Sequence, residues 1–424
     1  MANRDRPPPS LDPATRQSLQ HLTSSPSIDI FLGVVMSTHT TTGSAPTPLA
    51  SGASGFPHGY LPLPVDGTGC FQEAPRKVLE DGVYPGNRPE GSFVWHNGSE
   101  HRVRASDGTW LIEEPPASGS WTALDDWLAA QGFAGMDQRE MCLAYGSNLA
   151  NHEIADFADK RPVIALAALT LGASAAYCST KRGDGQYPAG LVASSQDRGE
   201  MHGVLLVDDR QRRKLDCKEG TVRQFYVRSL AHDEYLDLVL EDGSRCAGPI
   251  GLYAQGDRKR RIATVNGQPI LLTDRHQEHF SETEPWDGDT SDHGLALSRT
   301  ESFPTLTTQP LPMFVYGTLR PGEIRYPLIE DLVSTTDSAV VNARFIETGQ
   351  DYPGVVPSST TQVSGVLLHP IEGSQQKLLK RCDRIEGHPD LFKRALIRTH
   401  GGDLAWIYFW NHEVSNEDVT VSSS

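Results

Sequence analysis

Apolar residues along this chain come in short runs. None reaches the roughly 18 consecutive positions that a bilayer-spanning helix needs. The run Ile28–Met36 follows Ser and Pro rather than a basic start, so it reads poorly as a secretory signal. No membrane association is expected. Ser92–Trp95, His101–Ala105 and Thr109–Glu113 are strand-like, and Asn97-Gly98 and Asp107-Gly108 between them are preferred two-residue hairpin turns. One short helix is predicted over Thr122–Gly132, with Leu124, Trp127 and Leu128 on one face. Thr122 and Asp125 have the spacing of a capping box, and Gly132 is a natural stop. Trp110 and Trp127 are expected in a core rather than as a ligand platform.

Between these patterned stretches lie segments with little to bury. Residues 1–60 are rich in Pro, Ser, Thr and Gly and are expected to be disordered. Met36 directly precedes the most polar part of this head and is an alternative start; intact mass of the natively expressed protein distinguishes the two. Residues 275–310 carry the acidic run Ser281-Glu-Thr-Glu-Pro-Trp-Asp-Gly-Asp and read as a solvated, flexible tether. Residues 415–424 read as a disordered tail. A length of 424 residues then leaves room for two or three domains.

Charge and cysteine usage narrow the function classes. The net charge of −16 argues against binding a nucleic-acid backbone as a whole-protein role. The six cysteines (Cys70, Cys142, Cys178, Cys217, Cys246 and Cys382) form no C-x-x-C pair and are too sparse for a disulfide scaffold. A soluble protein of a reducing compartment, the cytoplasm, is the default expectation. No G-x-G-x-x-G, Walker loop or H-E-x-x-H occurs, so neither an organic cofactor nor a metal is called for.

The chain also resembles itself. Met141-Cys-Leu-Ala-Tyr145-Gly146-Ser147-Asn148 parallels Met313-Phe-Val-Tyr316-Gly317-Thr318-Leu319. Downstream, Tyr187-Pro188-Ala189-Gly190 parallels Tyr352-Pro353-Gly354, and Met201-His-Gly203-Val204 parallels Val363-Ser-Gly365-Val366. Then Asp216-Cys-Lys-Glu219-Gly220 parallels Asp383-Arg-Ile-Glu386-Gly387, and Phe225-Tyr226-Val-Arg228 parallels Leu391-Phe392-Lys-Arg394. Tyr145 precedes Asp216 by 71 residues, and Tyr316 precedes Asp383 by 67. Five landmarks in one order at nearly one spacing point to an internal repeat.

The repeated residues suit a particular chemistry. A strand ending in Tyr-Gly-Ser/Thr turns sharply and exposes backbone N–H groups, which can hold an anion or a developing oxyanion. The plain alternative is an ordinary strand-ending turn. Asp and Glu three apart share one side of a helical turn that the following Gly ends. A carboxylate at a helix C-terminus faces the unfavourable end of the dipole, which raises its pKa and suits a proton shuttle. The plain alternative is a solvated helix end. Tyr145 and Tyr316 either line a pocket or end a core strand. Arg228 and Arg394 either hold a substrate carboxylate or pair with Asp216 and Asp383, the latter being the better-supported role.

On these motifs, with Phe314-Val-Tyr-Gly-Thr-Leu-Arg-Pro-Gly322 the most specific, the chain resembles the gamma-glutamylcyclotransferase-like (AIG2-like) family over residues 140–272 and 312–412. The resemblance implies an α+β protein with two gamma-glutamylcyclotransferase-like mixed β-barrel domains and flanking helices, at 138–274 and 311–414. A small β-rich module with one helix, at 61–135, would precede them. It implies that Glu219 and Glu386 are the general acid/base residues. Tyr145, Gly146, Ser147 and Asn148 would bind substrate in one copy, and Tyr316, Gly317, Thr318 and Leu319 in the other. The implied partner is a small γ-glutamyl substrate, cyclised to 5-oxoproline with release of an amine, without cofactor or metal. A non-catalytic binding or assembly role, with one or both copies inactive, is the competing expectation. The copies differ at one notable point: Phe392 stands where the first copy has Tyr226, which removes a hydroxyl.

Overall fold

Both repeated segments place the strand that ends in Tyr-Gly at the centre of a sheet. The computed structural model describes residues 60–62, 84–85, 91–194, 199–232, 236–256, 261–273, 277, 280, 294–348 and 352–412. The segments expected as a disordered head and tail lie outside these residues, apart from Tyr60 in a short strand. The acidic run 281–292 also lies outside them.

In the first repeated segment the strand order is Tyr226–Ala231, Ile250–Gln255, Glu140–Ala144, Gly199–Val207, Val163–Leu171. In the second it is Phe392–Arg398, Leu404–Trp410, Met313–Val315, Gly354–Pro370, Val333–Ile346. The two orders correspond strand for strand, and so do the directions. Each central strand runs parallel to one neighbour, with Leu143 opposite Leu252 and Met313 opposite Trp406, and antiparallel to the other. A helix follows the third strand in chain order in both: Asp209–Glu219 and Gln375–Glu386. The landmark glycines are one register apart, because Gly203 faces Ala144 whereas Val366 faces Val315. Both still admit close packing: a Cβ would come within 2.6 Å of a Leu149 methyl at Gly203, and within 2.5 Å of the Phe314 ring at Gly365.

The amino-terminal hairpins form much as their turns predict. Strands Phe93–His96, Ser99–Ser106 and Thr109–Glu113 meet at Asn97-Gly98 and Asp107-Gly108, all four with positive φ. The helix is shorter than expected, Leu124–Ala130, and Thr122 does not cap it. Thr122 lies in the strand Trp121–Ala123, and Asp125 instead accepts the Met136 amide at 2.9 Å. Leu124, Trp127 and Leu128 are buried as expected.

This small β-rich part of the chain pairs with the first sheet. Phe93–His96 pairs antiparallel with Val163–Leu171 and continues the first sheet outward. All nine residues of Val163–Leu171 are buried, so its edge has to be covered. The expected tether is likewise structured in part. Leu297–Arg299 pairs with Tyr226–Ala231, and Thr308–Pro310 pairs with Ser244–Cys246. Acidic composition marked the tether correctly as polar. It missed these short edge strands, whose backbone pairing needs no apolar side chain.

The two sheets are joined by a core of their own. Leu169, Leu171 and Val239 from the first pack with Met313, Leu368 and Trp406 from the second. The fully buried Trp406 indole donates to the Gly243 carbonyl at 3.2 Å. Asp237, only 4% exposed, pairs with Arg245 at 2.6 Å and with Arg398 of the second sheet. At the hairpin tip, the Gly108 amide donates to Gln376 at 3.3 Å, on the second-sheet helix.

Replacing Trp406→Ala should cost about 3–5 kcal/mol, the usual loss for a large buried aromatic. Because both sheets line that core, they should unfold together. Urea unfolding followed by tryptophan fluorescence and by far-UV circular dichroism should give one coincident transition, moved to lower denaturant. Two separated transitions would show that the sheets fold independently.

Candidate active site

Each candidate glutamate is the last residue of its helix. Asp209–Glu219 starts at a full capping box: Asp208 accepts the Gln211 amide and the Gln211 side chain accepts the Asp208 amide, both at 3.0 Å. Gly220 (φ +64°) ends this helix and Gly387 (φ +61°) ends Gln375–Glu386, both in the left-handed region that suits glycine. The aspartate one turn earlier is used structurally. Asp216 accepts from the Tyr253 hydroxyl at 2.9 Å and pairs with Arg212 at 2.9 Å and Arg228 at 3.4 Å. Asp383 accepts from the Tyr408 hydroxyl at 2.5 Å and from Arg394 at 2.8 and 3.0 Å. Arg228 and Arg394 therefore serve the helix anchor rather than a substrate carboxylate.

The Tyr-Gly loops meet the helix ends across two cavities. The Tyr145 hydroxyl donates to the Tyr253 carbonyl, and the Tyr316 hydroxyl donates to the Tyr408 carbonyl at 2.8 Å. Both tyrosines thus end a core strand and line a pocket, so the two alternatives coincide. Among the described residues, no protein acceptor takes the backbone N–H groups of Gly146, Ser147 and Asn148, or those of Gly317, Thr318 and Leu319. The first cavity, about 120 Å³, is lined by Tyr145, Gly146, Ser147, Asn148, Lys218 and Glu219, among others. The second, about 30 Å³, is lined by Tyr316, Gly317, Thr318, Leu319, Arg325 and Glu386, among others. All ten residues expected at the sites therefore line a cavity.

Their electrostatics differ. Burial raises the Glu219 carboxyl above its usual range, opposed by a hydrogen bond from the Asn148 amide at 2.7 Å and by Lys218 and Arg182. Glu386 has no Asn148 counterpart, because Leu319 stands there, and burial lifts it to about 7 against the pull of Arg325. Burial, the largest cause in both, does what the sequence reading assigned to the helix dipole. Tyr145 and Tyr316 are also held protonated well above the usual phenol range by burial.

The family match falls on the second site. Residues 313–424 match the family described as gamma-glutamyl cyclotransferase, AIG2-like. One AIG2-like domain therefore occupies that part of the chain. A Niallia circulans protein, gamma-L-glutamyl-butirosin B gamma-glutamyl cyclotransferase, is 28% identical over 110 residues, covering 24% of this chain and 67% of its own. Among solved structures, an Arabidopsis thaliana protein is 24% identical over 27% of this chain and 76% of its own, with a TM-score of 0.22. YkqA from Bacillus subtilis is 14% identical over 65% of this chain and 86% of its own, with a TM-score of 0.21.

Sequence reasoning missed several lining residues: Tyr84, Arg182, Tyr253, Arg325 and Tyr408. Tyr253 and Tyr408 carried a usable signal, each being the tyrosine of an apolar final strand (Gly-Leu-Tyr-Ala and Trp-Ile-Tyr-Phe). The insertion that supplies strands Asp237–Leu240 and Ser244–Cys246 hides their equivalence. Arg182 and Arg325 lie in segments without matching spacing.

Two measurements test these environments. Asn148→Ala removes a hydrogen bond to the ionised Glu219, so the Glu219 pKa should rise further; carboxylate ¹³C NMR titration reads it, and an unmoved or lowered value contradicts the assignment. Glu386→Gln removes a charge that burial disfavours. It should raise the thermal midpoint at pH 8, where Glu386 is ionised both folded and unfolded, and this gain should vanish below about pH 4.5, where it is protonated in both states.

Proposed function

We propose that this chain is a γ-glutamylcyclotransferase-type enzyme and that residues 138–274 are a second, diverged copy of the domain at 313–424. The observation that carries the reading is a half-buried glutamate of raised pKa sharing a cavity with a Tyr-Gly loop whose amides have no acceptor among the described residues, built twice on corresponding strands. The family match at 313–424 and the Niallia circulans relative support the reaction class.

A γ-glutamyl substrate carries its own nucleophile. Its α-amine attacks the γ-carbonyl carbon and the C–N bond of a five-membered ring forms. The carbonyl oxygen becomes an oxyanion, which the amides of Gly146–Asn148 or Gly317–Leu319 stabilise. The glutamate takes the proton from the attacking nitrogen and returns it to the leaving nitrogen as the γ-amide bond breaks. The products are 5-oxoproline and a free amine, with no water consumed. Holding the substrate in the cyclising conformer supplies much of the rate, and the proton transfers add about 10²–10⁴-fold.

The pockets are unequal. The second carries the family match and the glutamate near neutrality, and the first has the larger cavity. The small second cavity favours a variant of this reading in which only the first copy turns over substrate.

The test is 5-oxoproline release from a panel of γ-glutamyl dipeptides, γ-glutamyl amines and glutathione. Glu219→Gln and Glu386→Gln, made separately, should each abolish the share of turnover that belongs to that pocket. With Glu386 as base, activity remaining in Glu219→Gln should rise with pH around a midpoint near 7, because only the carboxylate accepts the amine proton. No product from any substrate would sink the cyclisation reading for that panel. Full activity in the double variant would remove both glutamates from the mechanism.

A further inference from the structure

The first pocket contains a side chain from outside both repeats. Tyr84 is buried, and its hydroxyl accepts the Ala189 amide at 2.6 Å. The carbonyl of the same residue, in the next peptide unit, accepts the Tyr226 hydroxyl at 2.6 Å. Tyr84 lies directly over the Tyr-Gly loop: a Cβ on Gly146 would sit 2.8 Å from its hydroxyl oxygen. The glycine at this position thus admits a phenol from a distant part of the chain.

In the second pocket no described residue places a hydroxyl over the glycine. A Cβ on Gly317 would meet only Pro353, at 3.5 Å, and Phe392 stands in the place of Tyr226. The first pocket is therefore the more polar and the roomier of the two.

The Tyr84 oxygen uses one lone pair on Ala189, and its own hydrogen has no acceptor among the described residues. Burial keeps that hydrogen in place well above the usual phenol range. A neutral donor lining the same cavity as Glu219 complements an oxygen of a bound ligand. The geometry points to Tyr84 as a ligand-binding residue of the first pocket alone, donating its hydroxyl hydrogen to a carboxylate or carbonyl oxygen of a γ-glutamyl group. This inference rests on the cyclotransferase reading for the identity of the ligand.

Two readouts separate it from that reading. In the full chain labelled with ¹³Cζ-tyrosine, Tyr84→Phe identifies the Tyr84 resonance. Saturating 5-oxoproline should shift that resonance, and an unmoved resonance overturns the role. In Glu386→Gln, where only the first pocket can turn over, adding Tyr84→Phe should lower kcat/KM about tenfold, the usual effect of losing one hydrogen bond to the ligand. The phenylalanine keeps the ring packing, and thermal unfolding checks that the variant is folded. An unchanged kcat/KM overturns the role and leaves the cyclotransferase reading standing. A shifted Tyr84 resonance without turnover of any substrate supports the role and removes cyclisation.

Discussion

Both pockets depend on an aspartate that is not in them. Asp216 and Asp383 sit one turn before the glutamates and face the sheet. Each accepts a tyrosine hydroxyl from the final strand, Tyr253 or Tyr408, and an arginine from the strand beside it, Arg228 or Arg394. The arginine and tyrosine are directly opposite in the ladder in both sheets. The backbone carbonyl of the same tyrosine accepts the hydroxyl of Tyr145 or Tyr316. One residue of the last strand thus fixes the helix end with its side chain and the Tyr-Gly loop with its backbone. The glutamate and the loop amides are held at a set separation by a single common support.

That arrangement explains what could be read from the sequence. The Asp-x-x-Glu-Gly and Tyr-Gly motifs are local, so spacing and turn chemistry revealed them, and all ten expected residues line a cavity. The hairpins at Asn97-Gly98 and Asp107-Gly108 were legible for the same reason, since the turn residues themselves set the geometry. Long-range partners were not. Nothing near Tyr84 marks it as a neighbour of Gly146, and nothing in the polar stretch 297–310 marks two edge strands. Thr122 satisfied the capping pattern, yet strand pairing with Thr109–Glu113 claimed it first.

The same support frames two different chemical environments. Asn148 gives the ionised form of Glu219 a hydrogen-bond donor, while Leu319 gives Glu386 none. The linings differ at Asn148 and Leu319, at Tyr226 and Phe392, and in the surroundings of Gly146 and Gly317. None lies in the Asp–Tyr–Arg anchor. The scaffold is kept, and its lining varies.

The joint between the sheets carries a different consequence. Trp406 is hydrogen-bonded to Gly243, Asp237 pairs with both Arg245 and Arg398, and Leu169 and Leu171 share one core with Met313. Each half is therefore a wall of the other's interior. A change that altered the lining of one pocket would leave its sheet needed as packing material for the other. Either sheet is thus retained for purely mechanical reasons, whatever its own pocket holds, and motifs in the anchor alone do not reveal what that is.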